Sequence, residues 1–226
     1  MTGEAVKEEK RRKRNYGFWV LITGVILAFT DFAVMTPFSY GYDHVNAEGG
    51  NGFFYKEFLR KLMGEGITWD VFISTVGYLL IIAGCVLLKK YHKRFLMAAV
   101  IGGVAAVSYG AYVFCPFYVN GMMTIKLSVA LLIVWLVCQT GILFNLYVGI
   151  QKQVDSFYHI EVRKDLYFGF ETVILCLITS KIMRVLYWMP FGNIAYYILW
   201  TGMHAGLLYF VVKAVKYKKR LGMFEN

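Results

Sequence analysis

The chain has 226 residues, 58% of them hydrophobic and only 17% charged, with a net charge of +10 at pH 7. Soluble domains carry charge on about a quarter of their residues and lack repeated apolar runs of about 18 or more, so an ordinary soluble domain is excluded and an all-α polytopic membrane protein is indicated. The surplus Lys and Arg flank apolar runs, as topology determinants do, so the lipid bilayer rather than nucleic acid is the expected partner.

Residues 1–16 are polar and contain the run KEEKRRKR; they read as a basic N-terminal segment. The first span, Gly17 to Pro37, is too long for a secretory signal and ends without a small-residue cleavage pattern, so it reads as an uncleaved anchor. It contains Asp31. Residues 38–69 form the longest loop, in which Phe54, Phe58 and Leu62 recur every four residues, with Lys56, Glu57, Arg60 and Lys61 largely on the other side. That spacing predicts a short amphipathic helix, lying at the bilayer surface or capping the mouth of the bundle.

The second span runs from Asp70 to Leu88 and leads into KKYHKR. The third, Phe95 to Phe117, is rich in small residues (Gly102, Gly103, Ala105, Ala106, Ser108, Gly110 and Ala111), which suits a central, closely packed helix. An Asn120-Gly121 turn returns the chain into the fourth span, Met122 to Ile150, which holds Lys126, Gln139 and Asn145. The fifth, Leu166 to Trp188, carries Glu171, Lys181 and Arg184; the sixth, Ile194 to Val212, carries His204. The resulting organisation is a basic segment at 1–16, a six-helix transmembrane domain at 17–212 and a basic tail at 213–226.

Eighteen of the 24 Lys and Arg fall in segments 1–16, 89–94, 151–165 and 213–226, and three in 38–69. By the positive-inside rule both termini are expected in the cytoplasm, which makes the chain a multi-pass protein of the cell membrane with N-in and C-in topology. The cysteines, Cys85, Cys115, Cys138 and Cys176, lie in or beside apolar spans and read as small buried residues. With no CxxC and no Cys/His cluster, neither a disulfide framework, a metal site nor a cofactor is expected. Phe72, Tyr78 and Leu80 match Phe191, Tyr197 and Leu199 in the sixth span, a weak internal similarity that hairpin duplication would produce but that shared composition explains more readily.

The segment DVFISTVGYLLIIAG, Asp70 to Gly84, resembles a pattern in small uncharacterised polytopic membrane proteins of Gram-positive bacteria: Asp, two apolar residues, Pro-Asp, an aromatic and an apolar residue, Gly-Tyr, an apolar run and Gly. Asp70, Gly77, Tyr78 and Gly84 match in register; Ile73 and Ser74 stand where those proteins have Pro-Asp. The resemblance implies a six-span architecture and no particular activity.

Ionisable groups inside a bilayer are costly and mark sites, so their depth matters. At about 1.5 Å rise per residue, Asp31 lies roughly 9 Å, Lys181 roughly 10 Å and Lys126 roughly 6 Å from the outer ends of their spans, with Arg184 one turn beyond Lys181 on the same face. These four share an outer-leaflet layer. One arrangement pairs Asp31 with Lys181 and lets Lys126 and Arg184 snorkel; the other gathers all four around a vestibule that attracts a small anionic or amphiphilic ligand. Deeper, Glu171, His204, Asn145 and Gln139 form a candidate proton relay, although a lone His in a bundle commonly only bonds to a neighbour.

Binding or transport of an anion through the outer cations is the leading expectation. An accessory or sensory subunit comes second. An intramembrane enzyme built on Glu171 and His204 comes third, because HExxH, paired glutamates and a nucleophile beside a base are all absent. Six helices suit either a closed monomer or part of a symmetric oligomer.

Overall fold

A computed structural model describes residues 3–30, 39–40, 67–68, 70–118, 122–153, 159–185 and 192–218. Among these residues the chain forms six helices: α1 (Gly3–Phe29), α2 (Asp70–Leu88), α3 (Lys93–Tyr118), α4 (Met122–Gln151), α5 (His159–Val185) and α6 (Gly192–Tyr217). Four of them contain apolar segments long enough to cross a membrane: Lys93–Phe114, Val129–Gln151, Ile160–Met183 and Ile194–Tyr217. The apolar parts of the first pair, Asn15–Phe29 and Ile73–Leu88, are shorter within the described residues. The chain is thus an all-α polytopic membrane protein.

Helix ends differ from the apolar runs in an instructive way. The polar segment 3–16 is continuous helix with the first span, because Lys, Glu and Arg are good helix formers and nothing in KEEKRRKR breaks the helix. α5 begins at His159, two turns before the apolar run, and α6 continues past Val212 to Tyr217. At the other end α1 stops early: Thr30 N–H still bonds to Ile26 O at 2.9 Å, but Thr30 itself is not helical. Asp31 and the rest of the expected span lie outside the described residues.

Two short strands were not anticipated. β1 (Ser39–Tyr40) pairs antiparallel with β2 (Ile67–Thr68), matching Ser39 to Thr68 and Tyr40 to Ile67. They clip the base of the long loop; the amphipathic helix expected around Phe54, Phe58 and Leu62 falls outside the described residues.

Consecutive helices are neighbours, and α6 returns to touch α1. The most extensive packing is within α1–α2, α3–α4 and α5–α6; the α4–α5 and α6–α1 seams are much sparser. The α1–α2 contact explains the glycines of the second span. A Cβ on Gly77 would sit 2.4 Å from Ala28 N, one on Gly84 2.6 Å from Leu21 N, and one on Gly24 2.6 Å from Ile81 N. Only glycine permits such backbone-to-backbone approach, and dispersion between close backbones drives helix association where lipid removes the hydrophobic term. The third span, expected to be central and closely packed, does pack between α2 and α4 and buries Ala98, Ala105 and Ser108, although Gly103 and Gly110 face open space.

The buried core includes Tyr78, Ile81, Phe95, Ile142, Leu143, Leu146, Phe210 and Tyr217. Of the two tyrosines in the weak internal similarity, Tyr78 is fully buried and Tyr197 is 54% exposed. Cys85 and Cys138 are buried free thiols and Cys176 is half-buried.

Candidate functional site at the α4–α5 seam

Trp135 and Gln139 are one turn apart on α4, so both face α2. There Tyr78 offers its hydroxyl: Trp135 Nε1–H donates to it at 2.6 Å and Gln139 Nε2–H at 3.2 Å. Tyr109 and Tyr112, one turn apart on α3, bring their rings to 5.1 Å and 6.4 Å from the Trp135 ring, both stacked. From α5 the Lys181 ammonium lies 5.5 Å from the Trp135 centroid, a cation–π contact. One indole therefore joins α2, α3, α4 and α5. Gln139 is 2% exposed, and its Oε1 has no hydrogen-bond partner among the described residues.

Beside this cluster the sparse seam leaves a groove of about 460 Å³ lined by Ile133, Leu136, Val137, Thr140, Gly141 and Phe144 of α4 and by Phe170 and Ile178 of α5. Along α4 it runs from Ile133 to Phe144, roughly 17 Å at helical rise, close to one leaflet of about 15 Å. Lys181 is one turn beyond Ile178 along α5. Phe144 packs on Phe170, with ring centroids at 6.1 Å, and Phe170 stacks on Tyr147 at 6.1 Å.

The outer layer of four ionisable residues is described only in part. Lys181 is half-buried on Trp135, and Lys126 is exposed. Arg184 lies on α5, but its side chain is outside the description, as is the whole of Asp31, so the Asp31–Lys181 pairing is not among the described contacts.

The deeper polar residues make hydrogen bonds that lead away from one another. Gln139 bonds to Tyr78; Asn145 donates to Gly141 O at 2.7 Å and accepts from Arg94 at 3.3 Å. His204 Nδ1 lies 2.8 Å from the Trp200 carbonyl oxygen, and its ring is 4.2 Å from that of Trp200. Glu171 is exposed on α5. None of these bonds links Glu171 to His204. The expected relay shares a depth range, but Gln139 and Asn145 are six residues apart, which sets them about 120° apart around the helix, toward different neighbours.

A second polar cluster was not anticipated. Asp165 Oδ2 pairs with Lys213 Nζ at 2.6 Å and accepts from the Tyr217 hydroxyl at 2.7 Å, while Oδ1 accepts from Tyr209 at 3.3 Å. Tyr217 also lies 3.1 Å from Glu161 Oε1, and Lys216 is 4.0 Å from the same oxygen. The signal was present as two stripes: Glu161 and Asp165 on α5, and Tyr209, Lys213 and Tyr217 on α6, each at four-residue spacing. The groups clamp the α5–α6 pair at the end that bears the termini.

No group of three or more His, Cys, Asp or Glu that could hold a metal occurs among the described residues. No family model, curated protein or solved structure matches the chain. The chain is an integral, multi-pass membrane protein.

Proposed function

We propose that the protein binds an anionic amphiphile at the α4–α5 seam, with the charged group at Lys181 and the apolar part in the adjoining groove, as a carrier or receptor for it. The observation that supports this most directly is the placement of Lys181: a half-buried ammonium held over Trp135, one turn along α5 from Ile178 of an apolar groove one leaflet long. A cation at low dielectric attracts an anion more strongly than one in water, and the aromatic ring fixes where it sits. Lys126 and Arg184, in the same layer by sequence depth, add positive charge. The distribution of Lys and Arg supports cytoplasmic termini, which puts the Lys181 end of the groove in the outer leaflet.

The test compares a long-chain fatty acid with the corresponding fatty alcohol on protein reconstituted in nanodiscs, read as the shift in Tm. The acid is expected to stabilise the wild type more than the alcohol does, and Lys181→Met is expected to erase that difference. Thr140→Trp, which fills the groove, is expected to erase both shifts. Equal acid and alcohol shifts in the wild type, or an undiminished preference in Lys181→Met, overturn the reading.

A further inference from the structure

The run KKYHKR accounts for four of the basic residues that set topology, and a run of that kind ordinarily extends into water. Here part of it is built into the bundle. After α2 ends, Tyr91 N–H bonds to Leu88 O at 3.0 Å, and His92 then starts α3: its carbonyl accepts from Phe95 N–H at 3.1 Å and its Nδ1 from Arg94 N–H at 3.2 Å. The end of α4 is fastened to the same turn, because Gln153 Nε2–H donates to Tyr91 O at 2.8 Å. Lys152, Lys93 and Arg94 all lie near enough to His92 for their charges to act on it.

Arg94 does not reach outward. Its Nη1 donates to Asn145 Oδ1 at 3.3 Å, and its guanidinium carbon lies 6.0 Å from the centre of the Phe144 ring. Asn145 is 4% exposed and is itself held by the Gly141 carbonyl, so the guanidinium is pinned by a rigid neutral group. Among the described residues no carboxylate pairs with Arg94, Lys93 or Lys152; the carboxylates of Asp165 and Glu161 are engaged by α6. A half-buried guanidinium has five N–H donors, and one neutral oxygen leaves most of them to be satisfied. Because His92 Nδ1 accepts a hydrogen bond, its Nε2 carries the proton and is a further donor. Partial burial and the positive charge of Arg94, Lys93 and Lys152 hold His92 below its ordinary pKa.

We infer that His92, Lys93, Arg94 and Lys152 form a site for a phosphate group, with Arg94 as the oriented fork and the two lysines as point charges. The site lies at the Phe144 end of the α4–α5 groove, away from Lys181. Its level, at the start of an apolar span, suits the headgroup of an anionic phospholipid; free phosphate has the same chemistry.

The experiment uses the full chain purified in neutral detergent. Retention of phosphatidic acid against phosphatidylcholine is counted by native mass spectrometry, and Tm is followed with inorganic phosphate. The wild type is expected to prefer phosphatidic acid, and Arg94→Gln to lose roughly tenfold or more of that preference, as for a charge-assisted bidentate contact. Arg94→Lys keeps the charge without the fork and is expected to fall between them, which separates recognition from folding. The comparison is repeated in the Lys181→Met background, where the α4–α5 groove no longer holds an anion, and the loss caused by Arg94→Gln is expected to persist there. A Tm rise with inorganic phosphate as well assigns the site to phosphate from either source; retention of phosphatidic acid without that rise assigns it to the lipid. The inference is overturned if the wild type shows neither response, or if Lys90→Gln, a charge removed from the same turn outside the site, costs as much as Arg94→Gln.

Discussion

The Trp135 indole N–H meets the Tyr78 hydroxyl at 2.6 Å, tying the middle of α4 to α2 across a gap that no loop spans. Tyr78 is fully buried, and the same oxygen also accepts from Gln139. Removing that hydroxyl leaves two donors facing hydrocarbon. Tyr78→Phe is therefore expected to lower stability by about 1–3 kcal/mol, measured as reversible unfolding in mixed micelles. An unchanged stability would mean that water, not Tyr78, satisfies these donors.

The α1–α2 contact predicts a sharp contrast among glycines. Gly77→Ala would force a methyl to 2.4 Å from the Ala28 nitrogen, while Gly103→Ala meets nothing within 4 Å. Gly77→Ala is expected to cost about 1–3 kcal/mol or more, because overpacking must separate two backbones. Gly103→Ala should be neutral or slightly stabilising, since alanine is the better helix former. Melting temperatures of the two variants, measured side by side, check this.

Asp165 collects three donors from α6, so its loss should loosen that pair specifically. Asp165→Asn is expected to cost about 1–3 kcal/mol, since a charged acceptor is replaced while Lys213 keeps its charge. Glu161→Gln should cost less, because its contact with Lys216 is long and well exposed. Hydrogen exchange in α5 and α6 should rise in the first variant more than in the second.

His92 gives a pH prediction. Its folded pKa lies below the ordinary histidine value, so the folded state binds fewer protons than the unfolded state. The stabilisation is full above the ordinary value near 6.5 and is lost as pH falls toward the depressed folded value. Protonation also removes the acceptor that receives Arg94 N–H. The Tm of the wild type should therefore fall between about pH 7 and 5 by more than that of His92→Asn, which retains a side-chain acceptor without titrating near neutrality.

Which parts of this were legible in the chain follows from what a linear pattern encodes. Apolar run length gave the helices, because crossing hydrocarbon sets a minimum length. The same criterion misplaced their ends: charged helix formers extend α1 to Gly3 and α5 to His159 without any apolar signal. Depth along an axis was readable for Lys181, Glu171, His204, Gln139 and Asn145, but azimuth was not, because it depends on which neighbour each face meets. Lys181 consequently turned out to rest on Trp135, and Arg94, counted only as a topology residue, turned out to bond to Asn145. The glycines of α2 were visible as a motif, but the close backbone that requires them belongs to α1 and is known only from the fold.

The pairing of helices has a consequence for biosynthesis. Each of α1–α2, α3–α4 and α5–α6 is an antiparallel hairpin whose closest partner is its own sequence neighbour. Such a chain can leave the ribosome and enter the bilayer as three successive hairpins, each partnered before the next is made. Severing the connection at 154–158 and supplying the two pieces from separate messages should then still yield an assembled protein, whereas a cut within any hairpin should not.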